Sequence, residues 1–101
     1  MGMGNLAKMA QQMQADMARV EQELRDLEVE GSAGGGVVRA VVTGKQEIVS
    51  LTIDPGVVDP DDVEMLQDLV VAAVADALGK ARASAEEKMA RVTGGLRIPG
   101  L

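Results

Sequence analysis

The chain contains no His, Cys, Phe, Tyr or Trp among its 101 residues. Without His, the commonest general base is missing, and neither a Ser-His nor a Cys-His nucleophile pair can form. Zinc sites built from Cys and His are excluded, and so is the stacking of bases on aromatic rings that many RNA- and single-strand-binding proteins use. These absences predict that the protein is not an enzyme.

Long apolar runs are also absent. The most apolar segment, LVVAAVADAL, is interrupted by Asp76 and is too short to span a bilayer. The N-terminus lacks the apolar run of a signal peptide, and the lack of Cys fits a reducing compartment. We therefore expect a cytoplasmic protein without a membrane partner. Its length predicts a single domain over residues 1–101 that gains burial from a partner chain.

Residues 5–27 follow a helical pattern, for which Asn5 is the expected N-cap. Two sets of apolar residues recur every seven positions along it. They are Leu6, Met13, Val20 and Leu27, and Ala10, Met17 and Leu24. Such a pattern over about three heptads is typical of a helix with one apolar seam. The seam either packs on the core of its own domain or meets another long helix, and both interpretations remain open.

Residues 28–54 change to the alternating pattern of a sheet. VVRAVVTG and QEIVSLTI predict two strands, and EVEGSA predicts a weaker strand before them. Gly44-Lys45 predicts a two-residue type II′ hairpin turn. The strand over residues 37–42 is apolar on both faces, so we expect both faces to be covered. Helices of the same chain would cover one face, and the sheet of a partner chain is the candidate for the other.

The glycine-rich stretch GSAGGG, residues 31–36, invites comparison with a phosphate-binding loop. Such a loop opens a helix and places Lys and then Ser or Thr directly after its last glycine. Here Val37 and Val38 follow Gly36 and begin a predicted strand. We therefore assign the glycines to a tight turn and to close backbone approach between strands or subunits.

A second helix is predicted over residues 60–92, with Asp59 as its N-cap and Pro60 at its first position. At about 50 Å it is too long for so small a domain to cover. The aspartates near residue 60 also suggest a metal site, but they lack the ligand spacing and central Gly of a calcium loop. Helix initiation explains all of them. Residues 93–101 are predicted to form a flexible tail.

The net charge of −6 argues against a nucleic-acid partner, but the charge is unevenly distributed. Residues 1–20 carry +1, residues 21–76 carry −10, and residues 77–101 carry +3. Basic residues near the end of a helix complement its dipole. Held away from an acidic body, they can also contact phosphates.

Four segments follow one another along the chain: NLAKMAQQMQADM, LEVEGSAGGGVVRAVVTGKQEIVSLTIDP, DPDDVEMLQDLVVAAVADAL and TGGLRIPGL. In this order they resemble the YbaB/EbfC family of bacterial nucleoid-associated proteins. The resemblance implies an α+β fold of order α-β-β-β-α, with a three-stranded antiparallel sheet and two long helices, and a homodimer formed through the sheets. It also implies binding of duplex DNA by the projecting helices, which organises or regulates the chromosome in the nucleoid. It implies no catalytic activity, no cofactor and no small-molecule substrate.

Carried onto this sequence, the resemblance assigns the DNA contacts to basic residues of the helices and tail. These are Lys8, Arg19, Lys80, Arg82, Lys88, Arg91 and Arg97. The expected dimer interface consists of apolar residues of the sheet, namely Val37, Val38, Val41, Val42, Val49 and Leu51. Family members commonly keep aromatic residues near the last helix and tail. This chain has none, so we do not expect base stacking or wedge insertion.

Two other functions remain open from the sequence. One is a protein-interaction scaffold without a DNA role, in which the first helix receives a partner's helix and the acidic middle attracts a basic protein. The other is a carboxylate-based metal hydrolase, suggested by the aspartates near residue 60. Binding of duplex DNA that weakens steeply with salt would separate the DNA-binding function from both.

Overall fold

Two helices flank a three-stranded sheet in the computed structural model, which describes residues 2–94. The elements are helix α1 (Gly2–Asp26), strands β1 (Glu28–Ala33), β2 (Val38–Thr43) and β3 (Ile48–Ile53), a short 3-10 turn (Pro55–Val57) and helix α2 (Val63–Gly94). All strands are antiparallel, in the order β1-β2-β3. The predicted α-β-β-β-α order and the three-stranded antiparallel sheet are confirmed.

The core lies where α2 crosses one face of β1 and β2. Its fully buried residues are small: Val38, Ala40 and Val42 from β2, and Ala73, Ala77 and Ala81 from α2. Gly31 of β1 lies beneath the helix, and a Cβ at that position would be 2.6 Å from the carbonyl oxygen of Ala73. Only glycine tolerates so close an approach, so small residues fix the position of α2 on the sheet.

Helix α1 is only partly attached to this body. Near its C-terminal end, Val20 and Leu24 are buried, and Leu24 packs over Gly44 at the β2–β3 turn. Residues 3–12 are exposed throughout. The N-terminal part of α1 therefore projects from the body of the molecule. The whole molecule is 72 Å in its longest dimension.

Both helices begin at different residues from those predicted. α1 begins at Gly2, so Asn5 lies within the helix and is not its N-cap. The apolar stripe of α1 extends back to Met3, and the helix begins one residue before it. α1 ends at Asp26, one residue before the predicted end, and α2 runs two residues beyond the predicted Val92, to Gly94. The rest of the predicted tail, residues 95–101, lies outside the described residues.

The start of α2 shows why Asp59 is not its N-cap. The Asp59 carboxylate accepts the N–H of Asp61 at 2.9 Å, and its carbonyl accepts the N–H of Asp62 at 2.9 Å. Asp59 and Pro60 thus open a β-turn, for which Asp at the first and Pro at the second position are favoured. Asp62 then caps the helix by accepting the N–H of Met65 at 3.2 Å.

The β2–β3 turn is also longer than predicted. Thr43 and Glu47 close it, with the Thr43 N–H donating to the Glu47 carbonyl at 2.8 Å, and Gln46 has a positive φ of 67°. This is a three-residue loop rather than the two-residue type II′ turn. Gly44 meets a different requirement, since a Cβ there would lie 2.8 Å from the Leu24 carbonyl oxygen.

Strand β3 is left largely uncovered, because α2 lies over β1 and β2. Ile48 is 62% exposed and Val49 is 52% exposed. Val49 is also the extra residue of an irregularity in the ladder, where Val41 pairs with Ser50 and Val42 with Ile48. The apolar surface without a cover therefore lies on β3 and not on the second face of β2, where Arg39 is exposed and Val41 is half-buried.

Candidate nucleic-acid interface

Three of the predicted DNA contacts converge in a cleft between α1 and the C-terminal part of α2. The cleft has a volume of about 260 Å³ and is lined by Asp16, Arg19, Val20, Glu23, Lys88, Arg91 and Val92. The packing of Val20 and Leu24 brings the two helices together here, and the polar residues on either side of that contact form the walls. The sequence places these cations on two separate helices, whereas the fold places them around one opening.

Each cation of the cleft is paired with a carboxylate. Arg19 lies 3.1 Å from Asp16, and Arg91 lies 2.8 Å from Glu87, both within one helix. Lys88 lies 3.6 Å from Glu23 and thereby joins α2 to α1. These pairs are exposed enough for water and salt to weaken them. A phosphate group entering the cleft would have to compete with the carboxylates for the cations.

Two further predicted contacts, Lys8 and Arg82, are exposed cations. Neither has a carboxylate within ion-pair distance among residues 2–94. Lys8 lies on the projecting part of α1, and Arg82 lies on α2 about 100° around the helix from the buried Ala81. These two side chains can meet a phosphate without first breaking an ion pair.

Lys80 has a different environment at the edge of the sheet. Its ammonium lies 3.2 Å from Asp76 and donates to the carbonyl of Glu30 at 3.4 Å. Asp76 in turn accepts the N–H of Ser32 at 3.0 Å. The Ser32 N–H, and after it Lys80, hold the pKa of Asp76 below its usual value. Side chains of α2 thus satisfy outward backbone groups of β1, which gives Lys80 a structural task.

The role of Asp76 is not evident from the sequence. Asp76 and Lys80 are four residues apart on α2, which indicates an ion pair within a helix, but nothing indicates that β1 runs beside them. The remaining predicted contact, Arg97, lies outside the described residues.

The residues predicted for the dimer interface occupy three different environments. Val38 and Val42 are fully buried under α2, so they cannot contact a partner, because the strand face they share is already covered by helix. Val37 and Val41 are half-buried. Val49 and Leu51 are exposed on β3, together with Ile48, which was not among the predicted interface residues.

The acidic residues around Asp59 form the turn and the helix cap described above. Within residues 2–94, no group of three or more acidic side chains is arranged to hold a metal ion. Of the helices in that range, none combines the length and the hydropathy that a membrane span requires.

Comparison with known proteins agrees with this architecture. A profile of the YbaB/EbfC DNA-binding family matches residues 1–96, which confirms the resemblance seen in the sequence. A nucleoid-associated protein from Moorella thermoacetica is 52% identical over 103 residues and is matched over 99% of both chains. A second, from Acetivibrio thermocellus, is 57% identical over 98 residues, covering 96% of this chain and 87% of its own. An uncharacterized protein from Helicobacter pylori shares the fold, with a TM-score of 0.69, 23% identity and coverage of 95% and 97%.

Proposed function

Since this chain belongs to the YbaB/EbfC DNA-binding family, we propose that it is a nucleoid-associated protein that binds duplex DNA as a homodimer and organises or regulates the chromosome. Its place of action is then the nucleoid, within the cytoplasm. The relatives from Moorella thermoacetica and Acetivibrio thermocellus carry the name nucleoid-associated protein. The family is defined by DNA binding and not by a catalytic activity.

The observation that carries this proposal is the separation of opposite charges along α2. The acidic residues Asp59, Asp61 and Asp62 precede the helix, whereas Arg91 lies in its last turn. From Val63 to Arg91 the helix rises through 28 steps, which span about 42 Å. The Debye length at physiological salt is only about 8 Å. The acidic end therefore hardly repels a phosphate at the basic end, in spite of the negative net charge.

The contacts themselves fall into two groups. Lys8 and Arg82 are available at once, so we assign the first phosphate contacts to them. Arg19, Lys88 and Arg91 must exchange a carboxylate for a phosphate. That exchange releases fewer counterions and contributes less free energy than a contact made by a free cation. Contacts of this kind position a protein on the duplex without reading its sequence.

The homodimer that we propose uses β3. At the other edge of the sheet, Asp76 and Lys80 occupy outward backbone groups of β1. On β3, Asp54 donates inward to Val37 at 2.8 Å. By the alternation of an antiparallel ladder, Ile53 and Leu51 then direct their backbone groups outward.

An open edge that also carries apolar side chains is a template for another chain. Ile48, Val49 and Leu51 supply that apolar surface. In such a dimer the two copies hold two basic ends at a fixed spacing, and the second contact with a duplex becomes intramolecular.

Fluorescence anisotropy of a labelled duplex tests the DNA contacts. We expect saturable binding that weakens steeply between about 50 and about 200 mM salt. The double variant Lys8→Gln, Arg82→Gln should weaken binding and reduce the slope of log K against log salt by about 1 for each phosphate that is no longer neutralised. Lys45→Gln is the matched control, because it removes the same type of charge from a residue paired with Glu21 at 3.4 Å.

Two results would count against this assignment. An unchanged slope in the double variant removes Lys8 and Arg82 from the interface. Absence of binding by the wild-type protein at the lower salt concentration contradicts the DNA-binding function and favours the scaffold.

A further inference from the structure

The projecting part of α1 carries an apolar stripe that stays exposed among the described residues, 2–94. Met3 is 86% exposed, Leu6 62%, Met9 54% and Met17 40%, and Met13 is half-buried. Large apolar side chains scattered singly over a surface need no explanation. These five share one face of a single helix, and a contiguous exposed apolar face marks an interaction site.

The stripe continues directly into a helix–helix contact. Val20 and Leu24 follow Met13 and Met17 at the same seven-residue spacing, and they are only 5% and 6% exposed because α2 and the sheet cover them. The same seam is therefore packed at one end of α1 and bare at the other. An isolated helix of this length is marginal in water, and most helix stability in proteins comes from packing of the apolar face. The bare end lacks that contribution.

Charge indicates what covers the bare end. In heptad terms, the positions flanking its seam hold Ala7, Met9 and Gln14, none of which is charged, and Asp16, whose carboxylate is paired with Arg19 at 3.1 Å. Flanking charges normally select the partner and its orientation in helix pairs. Two copies of this surface can meet without repulsion, whereas an acidic or basic partner gains no attraction from it. Lys8, the one charge before Asp16, lies on the opposite side of the helix from the seam, by the 100° rotation per residue.

We propose that this stripe binds the same stripe of a second copy of the chain, so that two α1 helices pair through Leu6, Ala10 and Met13. Such a contact is isologous and closes about a two-fold axis. From Met3 to Met17 it extends only about 21 Å, so a single pairing is smaller than a standard protein interface. It becomes effective when copies are already held near one another.

The proposal rests on the proposed function, because the β3 dimer is what holds copies near one another. A dimer joined through β3 carries two α1 helices, and these pair with α1 helices of other dimers. Lys8 stays on the outer side, available to DNA. Dimers bound to separate duplex segments would thereby be bridged, and the bridging surface is distinct from the phosphate contacts.

Sedimentation velocity of the full chain without DNA, over a wide concentration range, tests the pairing. We expect a species larger than the β3 dimer to grow with concentration. The double variant Leu6→Gln, Met13→Gln should abolish that species while keeping its helical content. Lys8→Gln, on the opposite side of the same helix, is the matched control and should retain it. A wild-type protein that shows no α1-dependent species at any concentration overturns the proposal, as does a double variant that assembles like the wild type.

Site-directed cross-linking gives a second readout, since the chain has no Cys of its own. Single variants Leu6→Cys, Ala10→Cys and Met13→Cys are treated with a short bis-maleimide, which joins only thiols that lie close together. At least one of them should form a covalent dimer efficiently, and Lys8→Cys should not. Equal cross-linking at all four positions indicates random collision and contradicts the pairing.

The two proposals can fail separately. If the β3 dimer is wrong, a monomer–dimer equilibrium remains that Leu6→Gln, Met13→Gln abolishes and Leu51→Gln leaves intact. If the α1 pairing is wrong, a monomer–dimer equilibrium remains that Leu51→Gln abolishes and Leu6→Gln, Met13→Gln leaves intact. A double variant that loses affinity for DNA without any change in mass would assign the stripe to the duplex and overturn the pairing.

Discussion

Replacement of Gly31 by Ala tests the packing of α2 on the sheet. Gly31 faces the backbone of α2 between Ala73 and Ala77. An added Cβ would clash most closely with the backbone nitrogen of Ala77 and would lie 2.6 Å from both the Ala73 carbonyl oxygen and the Ala77 Cα. Optimal contacts between such atoms are about 3.5–4.0 Å. The atoms that clash are backbone atoms, which cannot rotate away as the end of a side chain can. To relieve the clash, α2 has to retreat by about 1 Å.

That retreat affects the whole core. Ala73, Ala77 and Ala81 all pack on β2 from this one helix, and a gap of about 0.5–1 Å forfeits about a quarter to a half of each dispersion interaction. Inserting one methyl group into a packed core costs about 1–3 kcal/mol by itself. We expect Gly31→Ala to lower the free energy of unfolding by about 3 kcal/mol, which is a large part of the roughly 5–15 kcal/mol typical of a domain.

Urea unfolding followed by far-ultraviolet circular dichroism measures the change, because the chain has no Trp or Tyr for fluorescence. Protein concentration has to be equal in all samples, since association stabilises the folded state. Gly79→Ala is the matched control: it lies in the middle of α2 with no atom within 4 Å of an added Cβ, so it should stabilise the protein by up to about 1 kcal/mol. A Gly31→Ala protein within about 0.5 kcal/mol of wild type would refute the close-packing argument.

Three other substitutions test contacts described above. In Asp76→Asn, the urea midpoint should fall at pH 7, because the folded-state pKa of Asp76 lies below its ordinary 3.8 and its charge stabilises the fold above that value. The difference in midpoint from the wild-type protein should vanish as pH falls through the folded-state pKa. A deficit independent of pH would contradict the role of that charge. Asp62→Ala removes the acceptor of the Met65 N–H and should cost about 1 kcal/mol, as measured by the urea midpoint. Leu51→Gln should shift the mass measured by light scattering from dimer to monomer, whereas Met65→Gln, beside the β1 side of the sheet, should leave the mass unchanged.

The order of elements could be predicted from the sequence because each element has its own period. The seven-residue spacing of Leu6, Met13 and Val20 and the alternation in VVRAVVTG are local properties that the fold retains. The residues at which the elements begin and end were harder to predict. The sequence DPDD is compatible with both a β-turn and a helix cap. Which Asp forms the turn and which caps the helix depends on how the preceding strand and 3-10 turn position the chain.

The interface residues show a second limit of the sequence. The two faces of β2 are both rich in Val, so the pattern cannot tell which face α2 will cover. Val38 and Val42 proved to be core residues for that reason. The exposed surface on β3 depends on the width of the sheet relative to one helix and on the extra residue Val49, neither of which has a local signal.

The same limit applies to the cations. From the sequence, Lys8 and Lys80 are equivalent basic residues on helices, but one projects into water and the other is held at 3.2 Å from Asp76 at the sheet edge. Net charge is an equally poor guide, because most cations of this chain are occupied by carboxylates and most acidic residues lie far from the cleft. The affinity for DNA then depends on how many weak phosphate contacts act together. If β3 joins two copies and α1 links further copies, each contact that is weak in one chain is repeated along the duplex. An acidic protein can thereby hold DNA through a few accessible cations in each copy.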